Sequence, residues 1–170
     1  YVSNIQNFFK TKSFSKNMAF AFSHLIGAWF VGEIIQKISK KKLPKQAWIL
    51  LLLGGLIPDI DFLFQIILHE PIHRTVTHSL FFAIFSFFLV RKNKYALLLP
   101  IGILIHIFLD LFTGPGLQVL WPFNLWISIY ETTQTVSLLK GIQNIPLAII
   151  DMFLGFFWFV YLFLKGKINF

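Results

Sequence analysis

The sequence predicts an all-α, polytopic transmembrane helix bundle of four or five spans, and three observations predict it. Apolar residues make up 56% of the chain and mean hydropathy is +0.73, beyond the roughly 45–50% apolar content of a soluble globular domain. Only 13% of residues are charged, against 22 phenylalanines, which leaves too little polar surface to wrap a soluble fold of this size. The apolar residues also fall into stretches near the roughly 20 residues that a bilayer requires. These stretches are separated by short basic runs and turn signals.

Residues 1–17 are polar and basic, and read as an N-terminal extension before Met18. Phe8, Phe9 and Phe14 would let them lie as an interfacial helix. Residues 18–170 form a single transmembrane domain. The first span is expected at 18–37, with His24 near its start and Glu33 one turn before Lys37 near its end. No cleavable signal peptide is expected, because this segment carries charge and lacks a small-residue cleavage site. The second span, 46–68, is broken at Pro58, which removes a backbone donor. Residues 69–77, HEPIHRTVT, connect it to a short third span at 78–90, with Thr77 as its N-cap. The fourth, 95–113, carries His106 and Asp110 before the Gly-Pro-Gly turn at 114–116. Residues 117–145 read as a re-entrant or surface-lying segment, with Trp121 and Trp126 suited to the interface. A fifth span follows at 146–164.

The net charge of +8 does not point to nucleic acid, because the lysines sit in short runs between apolar segments, as cytoplasmic loops do. With five crossings, one side receives Lys37, Lys40, Lys41, Lys42, Lys45, Arg91, Lys92, Lys94, Lys165 and Lys167. The other receives Lys10, Lys12, Lys16, Arg74 and Lys140. The first side is therefore cytoplasmic. At about 1.5 Å per helical residue, His24, Asp59, His106 and Asp110 then lie roughly 5–14 Å below the opposite face. His78 begins its helix on that face. Nearly all the buried ionisable groups thus gather in one half of the membrane.

Such groups are costly next to lipid and call for a function. With no cysteine in the chain, a metal site would draw on histidine nitrogens and carboxylate oxygens. His106 and Asp110, four apart on one helix, point the same way; the simpler alternative is a hydrogen bond bracing the helix end. Asp59 and Asp61 diverge on a regular helix, but the break at Pro58 lets both reach one centre; otherwise they cap the half-helix that follows. His78 sits in the first turn of its helix, and Arg74 is placed either to grip an anionic phosphate or to meet lipid headgroups. His69, Glu70 and Glu131 are loop residues near these motifs, and Asp151 is a candidate supporting partner. His24, Asp59, Asp61, His78, His106 and Asp110 together offer enough ligands for one or two divalent ions, zinc first, with manganese, iron or magnesium as alternatives. Asp61, His73 and Arg74 are the residues expected to act in catalysis.

The motifs SHLIGA (23–28), GGLIPDID (54–61), HRTVTHSL (73–80) and HIFLDLFTGPGLQVLWPF (106–123) resemble those of the membrane-bound predicted metal-dependent hydrolases that include the LexA-regulated inner-membrane proteins of bacteria. The resemblance covers about residues 23–123. It implies a divalent-metal site on those same six residues with Arg74 beside it, and a distant similarity to zinc-dependent phospholipase C. The expected function is a metal-dependent hydrolase of the prokaryotic inner membrane, acting on a phosphoester or phospholipid from a site near the extracytoplasmic face. The alternatives are a divalent-cation or proton transporter, or a non-catalytic membrane protein whose polar cluster is structural. Membrane lipids are the expected partners.

Overall fold

A computed structural model describes residues 21–68, 72–112, 116–129 and 137–166. Among them are six α-helices and no strand: α1 (Ala21–Ser39), α2 (Lys45–Gly54), α3 (Ile60–Leu68), α4 (Leu80–Val90), α5 (Leu98–Asp110) and α6 (Ser137–Leu164). Two short 3₁₀ turns, Ile57–Asp59 and Val76–His78, precede α3 and α4. The basic extension lies outside the described residues.

The helix boundaries follow local chemistry. α1 stops where Lys40 takes a left-handed φ of 53°, the conformation that commonly closes a helix. Pro44 sets the extended N-cap of α2. Ser79 caps α4, its hydroxyl accepting from Phe82 N–H at 3.1 Å; the Thr77 cap expected from sequence is not formed, because that hydroxyl is committed to Asp61 instead. Asn93 organises the turn before α5 by accepting from Tyr95 N–H at 2.8 Å. Pro100 falls in the first turn of α5, where a missing donor costs nothing.

α5 is central, packing against α1, α2 and α4, while α6 packs on α1. The closest approach is between α2 and α5. A Cβ on Gly54 would lie 2.3 Å from the Leu99 carbonyl, and one on Gly102 would lie 2.2 Å from that of Leu51. Small residues that let backbones touch are the usual way to join helices where no water drives them together. Around this crossing sit Leu51, Ala47, Ala28 and Leu98 on one side and Leu99, Ile103, Ile107, Ala83 and Leu117 on the other.

The break in the second apolar stretch begins before Pro58. α2 ends at Gly54, and the two halves Lys45–Gly54 and Ile57–Phe64 meet at 45°. Gly55 lies against Ala28 and the His24 carbonyl, so the chain turns where it meets α1. Pro58 then sits in the first 3₁₀ turn, where its fixed φ helps to start the second half.

No single helix among the described residues is long and apolar enough to cross a membrane; the bent pair satisfies that length and composition jointly. α4, α5 and Ile149–Leu164 are shorter apolar helices. Their outer surfaces are apolar too: Phe81, Phe85, Phe88, Phe153, Phe156 and Phe157 are all exposed.

Candidate metal centre

Four elements end at one place. His24 comes from the first turns of α1, Asp59 and Asp61 from the break after α2, His73, Arg74 and His78 from the connection before α4, and His106 and Asp110 from the end of α5. His24, Asp61, Arg74, His78, His106 and Asp110 are buried.

The two inner histidines have fixed orientations. His106 Nδ1 lies 2.8 Å from the Gly55 carbonyl. A carbonyl can only accept, so Nδ1 carries the hydrogen and, in the neutral ring, Nε2 carries the lone pair. His78 Nδ1 lies 3.1 Å from Asp61 Oδ2, an arrangement that assigns its Nε2 in the same way. These two Nε2 atoms face each other at 3.2 Å. Two lone pairs so placed repel unless a cation or a proton lies between them.

Carboxylate oxygens complete the cluster. Asp59 Oδ1 lies 3.5 Å from His106 Nε2 and 3.8 Å from His78 Nε2. Asp110 Oδ2 lies 3.3 Å from His78 Nε2 and 3.7 Å from His106 Nε2. Four ligands at zinc bonding distances of about 2.0–2.2 Å would be about 3.4 Å apart in a tetrahedron. The two nitrogens are 3.2 Å apart and each carboxylate oxygen lies 3.3–3.8 Å from both of them, distances that bracket that value. The residues therefore fit a divalent ion held by two imidazoles and two carboxylates.

Asp110 extends the cluster outward. Its Oδ1 lies 3.3 Å from His24 Nε2 and 3.5 Å from Arg74 Nη2. His24 stacks on His106 with ring centroids 3.8 Å apart, and its buried Nδ1 lacks a hydrogen-bond partner among the described residues, as does Asp59 Oδ2. Buried polar atoms left without partners are uncommon, and a ligand would satisfy these. Ligand atoms of His24, His106 and Asp110 lie within 4.8 Å of one another, as do those of Asp59, His73 and His78. The two groups adjoin, so the donor set suits one ion or a pair.

Asp61 has a different environment from Asp59. Its Oδ1 lies 2.6 Å from His73 Nδ1, and its Oδ2 faces His78 Nδ1, Thr77 Oγ1 at 2.5 Å and Arg74 N–H at 3.2 Å. With its oxygens occupied by these donors, Asp61 orients the histidines rather than standing among the four facing ligand atoms. Carboxylates behind ligating histidines fix the tautomer and raise ligand basicity.

Arg74 is buried with a left-handed φ of 68°, a conformation that costs a non-glycine residue about 1–3 kcal/mol and persists only where surroundings enforce it. Its N–H is held by Asp61, and its carbonyl accepts from Gln118 N–H at 3.0 Å. The backbone is thereby bent so that the guanidinium turns inward to Asp110.

Residues 18–168 match the model of the YdjM inner membrane protein family. The chain belongs to that family. It is therefore an inner membrane protein by family, in keeping with the apolar exterior of its helices. No curated protein and no solved structure matches it.

Within this YdjM-family chain, the six candidate ligands and the Arg74 motif of the sequence converge at one site. Two of its parts carried no signal in the sequence: the Gly55 carbonyl and the separation of Asp59 from Asp61; Thr77, available from sequence as a supporting partner of His78, has its hydroxyl on Asp61 and 3.1 Å from His78 Nδ1. Asp151 lies outside the centre: Oδ1 accepts from Ser23 N–H at 2.8 Å and from the Ser23 hydroxyl, and Oδ2 from Phe22 N–H at 3.2 Å. It ties α6 to the start of α1, one residue before His24. His69, Glu70 and Glu131 lie outside the described residues.

Proposed function

We propose that this chain is a polytopic inner-membrane metal-dependent hydrolase of a phosphoester, with its metal centre near the extracytoplasmic face. The observation that carries the reading is the pair of histidine Nε2 atoms 3.2 Å apart, their lone pairs fixed by hydrogen bonds on the far side of their rings, with an oxygen of Asp59 and one of Asp110 each 3.3–3.8 Å from both. His78, His106, Asp59 and Asp110 would hold the ion, with His24 extending the ligand set from Asp110. A divalent ion there supplies water activation near neutral pH and charge stabilisation at a phosphoryl group.

The chain's own residues supply the rest. Arg74, at the edge of the centre, presents a fork suited to phosphate oxygens. Asp61 holds His73 and His78 in register, and His73 is within reach to accept or return a proton through the carboxylate it shares. Burial excludes bulk water and strengthens each of these interactions.

A transport pathway is less well supported. The buried ionisable groups among the described residues, His24, Asp61, Arg74, His78, His106, Asp110 and Asp151, all lie at the end of the bundle where α1 starts and α5 stops. A path for ions would continue polar groups through the other half.

The test is hydrolysis by the purified protein of phospholipids and of small phosphomonoesters and diesters, followed as the alcohol and the phosphate or phosphomonoester released, with and without chelator. Chelator-sensitive hydrolysis that falls at least about 100-fold in Arg74→Ala or Asp110→Asn supports the reading. Metal-loaded protein that hydrolyses none of these substrates would contradict it.

A further inference from the structure

The segment 116–129 lies beside the centre and has the construction of a chain that lives in lipid. It contains no charged residue. Its apolar side chains point outward: Phe123 is 72% exposed, and Leu120, Leu125 and Ile129 are exposed as well. A loop in water would satisfy its backbone with solvent and keep such side chains in. Here much of the backbone is satisfied by the protein itself. Leu117 and Ile127 exchange both hydrogen bonds at 2.9 Å, and the N–H groups of Gln118, Trp121, Phe123, Leu125 and Ile129 all find carbonyl partners. Asn124 Oδ1 accepts from both Gln118 Nε2 and Trp126 Nε1. Backbone at membrane depth needs partners within the protein, and these seven N–H groups have them.

Length gives an independent reason. α5 has 13 residues, about 20 Å of helix against a hydrocarbon core about 30 Å thick. If α5 enters the membrane at its basic end, beside Arg91, Lys92 and Lys94, it stops at Asp110 well short of the other face. The segment 116–129 continues from that end, hydrogen-bonded to Leu111 through Ile129 N–H and to α4 through Leu80 N–H. Its apolar surface runs into the lipid-facing surface of α4, where the Phe81 and Trp121 rings lie 5.8 Å apart. It is also bonded directly to Arg74 through Gln118.

We infer that residues 116–129 are immersed in the outer leaflet, and that the centre therefore opens sideways into the bilayer and takes a phospholipid rather than a water-soluble phosphoester. The inference rests on the membrane-embedded hydrolase reading and names its substrate class. A phospholipid would place its phosphate at Arg74 while its acyl chains lie along Leu120, Phe123 and Leu125.

The native chain has no cysteine, so single-cysteine variants can carry a nitroxide label at a chosen depth. Phe123→Cys, Leu125→Cys and, as a control in the basic turn, Asn93→Cys would be labelled and reconstituted in vesicles of phosphatidylethanolamine and phosphatidylglycerol. The expected result is that labels at 123 and 125 relax strongly with oxygen and weakly with a water-soluble nickel chelate, with the order reversed at 93. Labels at 123 and 125 as accessible to the chelate as the one at 93 would overturn the immersion. Phe123 and Leu125 are exposed, so both variants should keep the fold and the two positions guard against a local effect; Asn93 is half-buried and holds the turn before α5, so that control is verified as folded before its label is read. Because the readout needs no turnover, it can fail while hydrolysis stands, and hydrolysis can fail while it stands.

Discussion

Asp110 joins the inner and outer parts of the centre: one oxygen faces His78 and His106, the other His24 and Arg74. Asp110→Asn keeps the shape and removes the charge, and should abolish metal retention at the inner cluster, measured by elemental analysis after dialysis. Asp61→Asn should be milder. It leaves the four facing atoms in place and disturbs only their orientation, so metal affinity is expected to fall about 10–100-fold, checked by competition with a fluorescent chelator. The sequence PDID presents these as two similar carboxylates with either role open to both. The 3₁₀ turn Ile57–Asp59 sends Asp59 to the histidine Nε2 pair, whereas Asp61, in the first turn of α3, meets the 73–78 connection. That division depends on where a distant segment packs, which periodicity cannot report. The convergence of His24, His78, His106 and Asp110 was legible, since polar groups in an apolar chain have few places to go.

At the scale of elements, helices are held by glycine contacts and helix-end hydrogen bonds. Gly102→Ala would drive a methyl into the Leu51 carbonyl of α2. Backbone cannot move aside as a side chain can, so the cost should reach or exceed the roughly 1–3 kcal/mol of ordinary overpacking. Thermal unfolding in detergent would show it as a lowered midpoint. Ser79→Ala, which removes the α4 cap, should cost about 1 kcal/mol in the same assay. Helix positions were readable from apolar runs, but their ends were less so. α2 stops at Gly54 because of what it meets in α1 and α5, and α6 begins at Ser137 rather than 146: Pro146 lies inside the helix, where it removes a backbone donor without ending it. Thr77 and Ser79 are both plausible caps by type; a hydrogen bond to Asp61, remote in sequence, decides between them.

For the whole molecule, the centre sits where four elements of the helix bundle meet. An ion that binds the folded chain and not the unfolded one must stabilise it. Removing it with a chelator from protein loaded at 100 times its dissociation constant should cost about 2.7 kcal/mol, seen as a lower unfolding midpoint that is restored on adding zinc. The measurement that bears most directly on the site is metal content by elemental mass spectrometry on detergent-purified protein, wild type beside His106→Ala and Asp110→Asn, each verified as folded. One or two equivalents of zinc, manganese or iron in wild type, lost from both variants, is the result expected of this centre. Wild-type protein that holds no metal, even after supplementation, would contradict it and leave a proton shared between His78 and His106 as what joins them.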